Sequence, residues 1–333
     1  MRVRQITGII RRPHTLRESF NGRSLFACLA MLISIVDTAF ATFPGRNGMI
    51  AFQIQTAAGF QIYTVRPNGK DLRQITFLSG DAIAASWSPD GHRIVFEHDA
   101  PGVCGNVAIM NSDGTDIVEF PAPNVCEDDP TFTPDGKRIV FHRFDPATGD
   151  EAFWSMDLEG NNRQRIGPCC ADPTVSPDGK RLSFVGFNGD PTGAALFTSK
   201  LDGTNVVQVT PFSFDVAVKQ DWAPDGRHLV FTIYGDVPID GVSPNIVTIQ
   251  PDGTHFRQIT HYQGGDVKAT VGSYSPDGRW IVFRLTDHGT FGLYKVHTDG
   301  THLTPILPLS DFRPSFIAWG PRLDADDFED AEN

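Results

Sequence analysis

Apolar triplets recur along the chain, each entered through the same kind of turn. Ile94-Val95-Phe96, Ile139-Val140-Phe141, Leu182-Ser183-Phe184, Leu229-Val230-Phe231 and Ile281-Val282-Phe283 all follow a Pro-Asp-Gly turn and a polar pair. The turns stand in Trp87-Ser88-Pro89-Asp90-Gly91, Phe132-Thr133-Pro134-Asp135-Gly136, Val175-Ser176-Pro177-Asp178-Gly179, Trp222-Ala223-Pro224-Asp225-Gly226 and Tyr274-Ser275-Pro276-Asp277-Gly278, with prolines 45, 43, 47 and 52 residues apart. Pro44-Gly45-Arg46-Asn47-Gly48 leads in the same way to Ile50-Ala51-Phe52, and a partial copy, Ile317-Ala318-Trp319-Gly320-Pro321, closes the series. After each triplet comes an alternating run such as Ile62-Tyr63-Thr64-Val65. A pair then follows: Asn68-Gly69, Asp113-Gly114, Glu159-Gly160, Asp202-Gly203, Asp252-Gly253 or Asp299-Gly300. Such pairs supply the positive φ of a tight hairpin. Last is a short run such as Arg73-Gln74-Ile75-Thr76.

The pattern predicts four strands per period, A to D from inside outward. A ends at Pro-Asp-Gly, B holds the triplet, C precedes the second turn and D follows it. Four strands in about 45 residues is a propeller blade. The predicted fold is therefore all-β, a six-bladed β-propeller of four-stranded antiparallel blades. The chain starts at B, C and D of one blade and ends with a lone A strand at Phe316–Trp319, which is expected to close the ring.

The Trp-Ser-Pro-Asp-Gly turns, the Ile-Val-Phe strands and the Asp-Gly-Thr turns resemble the TolB-type, WD-like propeller repeats. The resemblance covers about residues 44–321 and concerns the propeller alone, without the α/β domain that precedes it in TolB. It implies an envelope or secreted protein that binds other macromolecules. It implies no hydrolase activity, since no Gly-x-Ser-x-Gly elbow is present. The repeat residues themselves are turn and core residues, so they specify fold more than task.

Composition adds an address and a charge. Six arginines up to Arg23, the apolar run Leu25–Val36 and Ala39-Phe40-Ala41 read as a signal peptide over 1–41, cut after Ala41. An uncleaved anchor is the alternative, but the apolar run falls short of the roughly 20 residues of a spanning helix. The propeller is expected over 42–322 and a disordered acidic tail over 323–333, with Asp324, Asp326, Asp327, Glu329, Asp330 and Glu332. The formal charge of −12 becomes −16 without residues 1–41, which speaks against nucleic acid as a partner.

Strand direction sorts the loops. The repeated turns fall on one face, and the longer, unlike B–C and D–A connections on the other. An acid recurs in each D–A connection: Asp81, Asp129, Asp172, Asp215, Asp266 and Asp311. Six blades would set these as a ring around the opening, either as a negative funnel or as backbone-binding turn residues. Glu127 and Asp128 exceed the one-per-blade pattern and are the better ligand contacts. His98, His142, His261 and His288 map to the same face, where four histidines from different blades could converge on a metal or simply be solvated. Arg143 and Arg284 are taken as equivalent and could pair with the acids. Cys104, Cys126, Cys169 and Cys170 also map there. Cys104–Cys126 is the favoured disulfide, with Cys169–Cys170 vicinal or half free, and a bridge from Cys126 to Cys169 or Cys170 left open.

The expected function is an exported, monomeric scaffold, periplasmic or secreted, binding a protein or peptide, a basic one being among the candidates, without a cofactor. The alternative is a metal-assisted lyase or hydrolase acting on a saccharide or lactone through the loop-face His and Asp residues.

Overall fold

The computed structural model describes residues 43–102, 104–167, 170–189, 193–234, 244–263 and 265–323. The expected signal peptide, Cys169 and the acids of the tail lie outside the described residues. Six four-stranded antiparallel sheets form, each in the order A, B, C, D. Blade two is representative: Asp81–Trp87, Arg93–Asp99, Asn106–Asn111 and Val118–Glu119. Blade one joins both parts of the chain, with Ser315–Pro321 supplying strand A beside Asn47–Thr56. The ring thus closes as the repeat predicts. Five of the six D strands are two residues long and the sixth spans Thr304–Ser310, so little open sheet edge faces outward.

The repeated turn is built by its own side chains. The Ser88 hydroxyl donates to Asp90 Oδ1 at 2.5 Å, and the same oxygen accepts the His92 N–H at 3.0 Å. Ser88 Oγ also accepts the Arg93 N–H at 2.9 Å. Gly91 takes φ 71°, a conformation that glycine reaches at least cost. Thr133 with Asp135, Ser176 with Asp178 and Ser275 with Asp277 repeat the arrangement. Ala223 breaks it in blade five, where the Arg227 N–H to Asp225 remains.

The third triplet residue is phenylalanine in every blade. Phe52, Phe96, Phe141, Phe184, Phe231 and Phe283 are all buried, in clusters that span neighbouring blades. A tryptophan two residues before the proline of the turn ties strand A to its surroundings. Trp87 Nε1 donates to Ala318 O of blade one at 3.2 Å and Trp222 Nε1 to Thr174 O of blade four at 3.4 Å, while Trp319 Nε1 donates within blade one, to Gly48 O at 3.2 Å. At Gly48 a Cβ would collide with the Pro321 carbonyl, so the closing strand needs glycine there.

Strand A carries a feature that the hydrophobic pattern does not show. Five residues before five of the six prolines of the turn, the backbone turns left-handed: φ is 53° at Ala84, 48° at Asp129, 54° at Asp172, 106° at Lys219 and 46° at Phe316. The pairing with strand B shifts register at this bulge. At or near the bulge, a strand A N–H turns toward the preceding blade and finds an acceptor there. Ala84 N donates to Gln53 Oε1, Asp129 N to Glu97 Oε2, Asp172 N to Asp129 Oδ2 and Gln220 N to Asp172 Oδ2, at 3.0, 3.4, 2.9 and 3.0 Å. Tyr274 N to Asp221 Oδ2 at 3.0 Å and Trp319 N to Ser273 Oγ at 3.2 Å complete all six seams.

Trp319→Ala removes a buried indole that packs the closing strand against Val282, Leu293 and Ile306 of blade six. We expect a loss of about 3–5 kcal/mol of stability, measured as a lower urea midpoint with the far-UV signature of the folded protein retained.

Candidate binding face and its charged clusters

The position three residues before each proline of the turn supplies the inner wall of the central channel. Ser86, Thr131, Thr174, Asp221, Ser273 and Ala318 line it, one from each blade, around a space of about 50 Å³. Sequence reasoning passed over this ring, although it can be read as the residue just before Trp87, Phe132, Val175, Trp222, Tyr274 and Trp319. The Ser86 and Thr131 hydroxyls meet across one seam at 3.2 Å, and Ser273 donates to Asp221 across another at 2.9 Å. Asp129, Asp172 and Lys219 stand in the same channel, and Phe43 lines it beside Trp87 and Trp319.

The six acids expected as one ring do not share a level, because they occupy different positions relative to the turn. Asp129 and Asp172 are the bulge residues inside the channel. Asp81 stands earlier and accepts the Phe60 N–H at 2.7 Å. Asp215 follows a short 3-10 turn at Phe212–Phe214, and Asp266 and Asp311 are exposed in loops. Three of the six therefore hold backbone N–H groups through their carboxylates. Burial raises the Asp129 carboxyl to about 7, helped by the charges of Asp172 and Asp128. Burial also raises Asp172, with Lys219 acting in the opposite sense.

Glu127 does not reach the surface. It is fully buried, accepting from Arg143 Nη1 at 3.2 Å and from Arg163 Nη2 at 3.1 Å. Burial raises its pKa and the two guanidiniums pull it back, with a net upward shift. Arg143 also stacks on Trp154, 4.7 Å from the ring centre. Both charges are committed to the inside of blade three.

His142 sits between two carboxylates, with Nδ1 2.6 Å from Asp128 Oδ1 and Nε2 3.0 Å from Glu151 Oε1. Burial alone would lower its pKa. The Asp128 hydrogen bond and the charges of Asp128, Glu151 and Asp129 outweigh that and raise it. His98 Nδ1 lies 2.8 Å from Glu119 Oε1 and Nε2 3.1 Å from Ser79 O, while His288 pairs with Asp287. His98, His142 and His288 thus each face their own acids. Among the described residues, no group of three His, Cys, Asp or Glu side chains is arranged to hold a metal.

Arg143 and Arg284 are not equivalent. Arg284 directly follows its triplet, in the place held by Glu97 in blade two and His142 in blade three, whereas Arg143 stands one residue later. Arg284 reaches no carboxylate among the described residues, so its expected pairing with the acids is not formed.

Cys104 and Cys126 form a disulfide, with Cα atoms 5.0 Å apart. It joins the B–C connection of blade two to the first residue of strand A in blade three. Beside it opens a groove of about 710 Å³ lined by Asp81, Glu97, Asp99, Asp128, His142 and the disulfide. Glu97 is raised to about 10 by burial and then by the charges of Asp129, Asp128 and Asp99. Asp99 is raised too, by burial first, and then by Asp81 and Asp128 against the opposing hydrogen bond with Glu97. One side of the face is thus crowded with acid.

The fold and this face define a ring-closed, six-bladed propeller whose unlike loops gather charge at one end of the channel. The fold is TolB-like. It superimposes on the crystal structure of TolB from Acinetobacter baumannii with a TM-score of 0.67 and 17% identity, covering 83% of this chain and 67% of that one. In sequence, 84 residues, 24% of the chain, are 38% identical to the Tol-Pal system protein TolB of Nitratidesulfovibrio vulgaris and cover 18% of it. The match thus spans under a fifth of that relative. A hydrazine synthase of Kuenenia stuttgartiensis also superimposes, with a TM-score of 0.62 and 14% identity, covering 85% of this chain and 49% of that one. The fold therefore does not choose a task by itself. No family model matches the chain. Among the described residues, no helix is long and apolar enough to cross a membrane.

The raised carboxyl of Asp129 gives a signed expectation. Its folded pKa exceeds the unfolded one, so stability falls as pH rises from the unfolded value through about 7. Asp129→Asn keeps an acceptor for the Asp172 N–H and cannot ionise. We expect its stability relative to the parent to improve between pH 5 and pH 8, on the order of 2 kcal/mol, by urea unfolding at both pH values. Cys104→Ser with Cys126→Ser opens a closure of 22 residues. It should cost about 3 kcal/mol in the same assay.

Proposed function

We propose that this chain is an exported, TolB-like propeller that acts as a protein- or peptide-binding scaffold in the cell envelope or outside it. The observation that carries the reading is the groove beside Cys104–Cys126. Asp81, Glu97, Asp99 and Asp128 line it, and their mutual repulsion and burial hold Glu97 and Asp99 above their ordinary pKa. A site that keeps unfavourable carboxylates together is relieved by a cation, and a lysine or arginine side chain of a partner supplies one. The groove is an open concavity on loops carried by a rigid ring, the usual setting of a binding surface. TolB as a structural neighbour, the leader-like residues 1–41 and the disulfide support the envelope or secreted location. The partner is a basic segment, and the propeller works as a monomer.

A lysine-rich peptide tests this. Its affinity should fall at least tenfold between low salt and about 0.3 M NaCl. It should rise from pH 6 to pH 8, because a bound cation favours the ionised forms of Asp99 and Glu97. Asp81→Asn with Asp99→Asn should weaken binding, while Asp266→Asn with Asp311→Asn, the same change in net charge elsewhere, should not. Equal weakening by both pairs, or binding that ignores salt and pH, would overturn the reading.

A further inference from the structure

Arg284 is a buried cation in a strongly acidic protein, yet it stands apart from every carboxylate described. It is 9% exposed. Its Nη1 donates to the Pro314 carbonyl at 3.3 Å, and its Nε has no partner. The free Nε–Nη2 edge is the one that grips a carboxylate with two parallel hydrogen bonds.

Three observations around it point the same way. Thr270 pairs directly with Arg284 across strands A and B of blade six, so the two side chains share a face of the sheet. Its Oγ1 is buried and also lacks a partner. Arg313, in the D–A connection that leads to the closing strand, lies near enough to lower the Arg284 pKa, after burial, which lowers it most. The Arg313 guanidinium rests over the Phe291 ring at 5.3 Å and makes no ion pair among the described residues. Tyr234, from blade five, joins the neighbourhood. Burial raises its pKa, the charges of Arg284 and Arg313 oppose that, and Asp215 adds to it. Arg284 and the Thr270 hydroxyl thus share one face of blade six, with the charge of Arg313 and the ring of Tyr234 close enough to act on Arg284.

An unpaired buried charge costs several kcal/mol of desolvation unless something neutralises it. In blade two the same strand position holds Glu97, which accepts the Asp129 N–H of the next blade. A guanidinium cannot accept a hydrogen bond, so Arg284 does not take that structural part. Among the described residues, no acid forms an ion pair with Arg284.

We propose that Arg284, Arg313 and Thr270 form an anion site on the loop face, specific for a carboxylate. Arg284 grips the carboxylate through Nε and Nη2, Thr270 donates its hydroxyl, and Arg313 closes the site from the solvent side. The carboxylate is either that of a small free acid or the C-terminus of a peptide. The site lies on the opposite side of the opening from the acidic groove and does not depend on the function proposed above.

Succinate is the probe for the free acid, and a short peptide with a free C-terminus, against its C-terminal amide, is the probe for the other source. At fixed ionic strength, succinate or the free-acid peptide should raise the Tm of the parent protein by several degrees, and chloride should not. Preference for the free-acid peptide over the amide, with little response to succinate, assigns the site to a chain terminus. The reverse assigns it to a small acid. Arg284→Met should abolish the response. In buffer free of carboxylates it should melt above the parent, since it removes an uncompensated buried charge. Arg313→Gln alters an exposed side chain and should fold, weakening apparent affinity at least tenfold. An equal response in parent and Arg313→Gln, no response in the parent, or an Arg284→Met protein less stable than the parent without ligand would overturn the assignment.

Discussion

Each blade of this ring holds the next through a backbone N–H that strand A turns sideways. A left-handed residue in the middle of an inner strand is a costly conformation for any side chain but glycine, on the order of 1–3 kcal/mol. In blades two to five it persists because it aims an amide, its own or the next residue's, across the seam at an acceptor in the preceding blade. The acceptor differs at each seam: Gln53, Glu97, Asp129, Asp172, Asp221 and Ser273. What recurs at every seam is a strand A amide that crosses it, and the chemistry of the channel follows from whichever side chain supplies the acceptor.

The charge distribution follows from that constraint. Blades two to five answer the sideways amide with carboxylates, so acids accumulate in the channel and at its mouth, partly out of water and close to one another. Asp129 and Asp172 hold the ring together and line its channel, and their pKa values rise for that reason. Blade six is different. Its acceptor is a serine, Ser273, and the position after its triplet, held by Glu97 in blade two, is Arg284, which can only donate. The loop face therefore has an acidic sector over blades one to three, and Arg284 and Arg313 stand without ion pairs among the described residues where blades six and one adjoin.

Much of this was legible in the repeat, and some was not. Pro-Asp-Gly and Asp-Gly turns are local, since their side chains bond to backbone within five residues, as Ser88 and Asp90 do. The alternating apolar triplets gave strand order and blade count for the same reason. Cys104 and Cys126 could be paired because the strand count puts both on one face in adjacent blades. The acids could not be ranked. Asp81 opens a strand A, Asp129 lies within one and Asp215 precedes one, so the turn-to-acid distance differs, and a shift of one or two residues at a bulge changes which way a side chain points. The same off-by-one shift made Arg143 and Arg284 look equivalent, when one clamps the buried Glu127 and the other stands unpaired.

Taken alone, the amino-acid order determined the six blades, the closing strand and the face on which unlike loops gather. These depend on turn chemistry and on a period of two along each strand, which are properties of short segments. Only the tertiary structure decided which charges are interior and which are available. Glu127 became a buried clamp, Asp129 and Asp172 became ties between blades, and Arg284 was left without a carboxylate. Those outcomes rest on contacts between residues 16 to 48 positions apart, within a blade or across the seam to its neighbour. There, burial and the few ångströms between like or opposite charges set each group's state, and no local pattern records either.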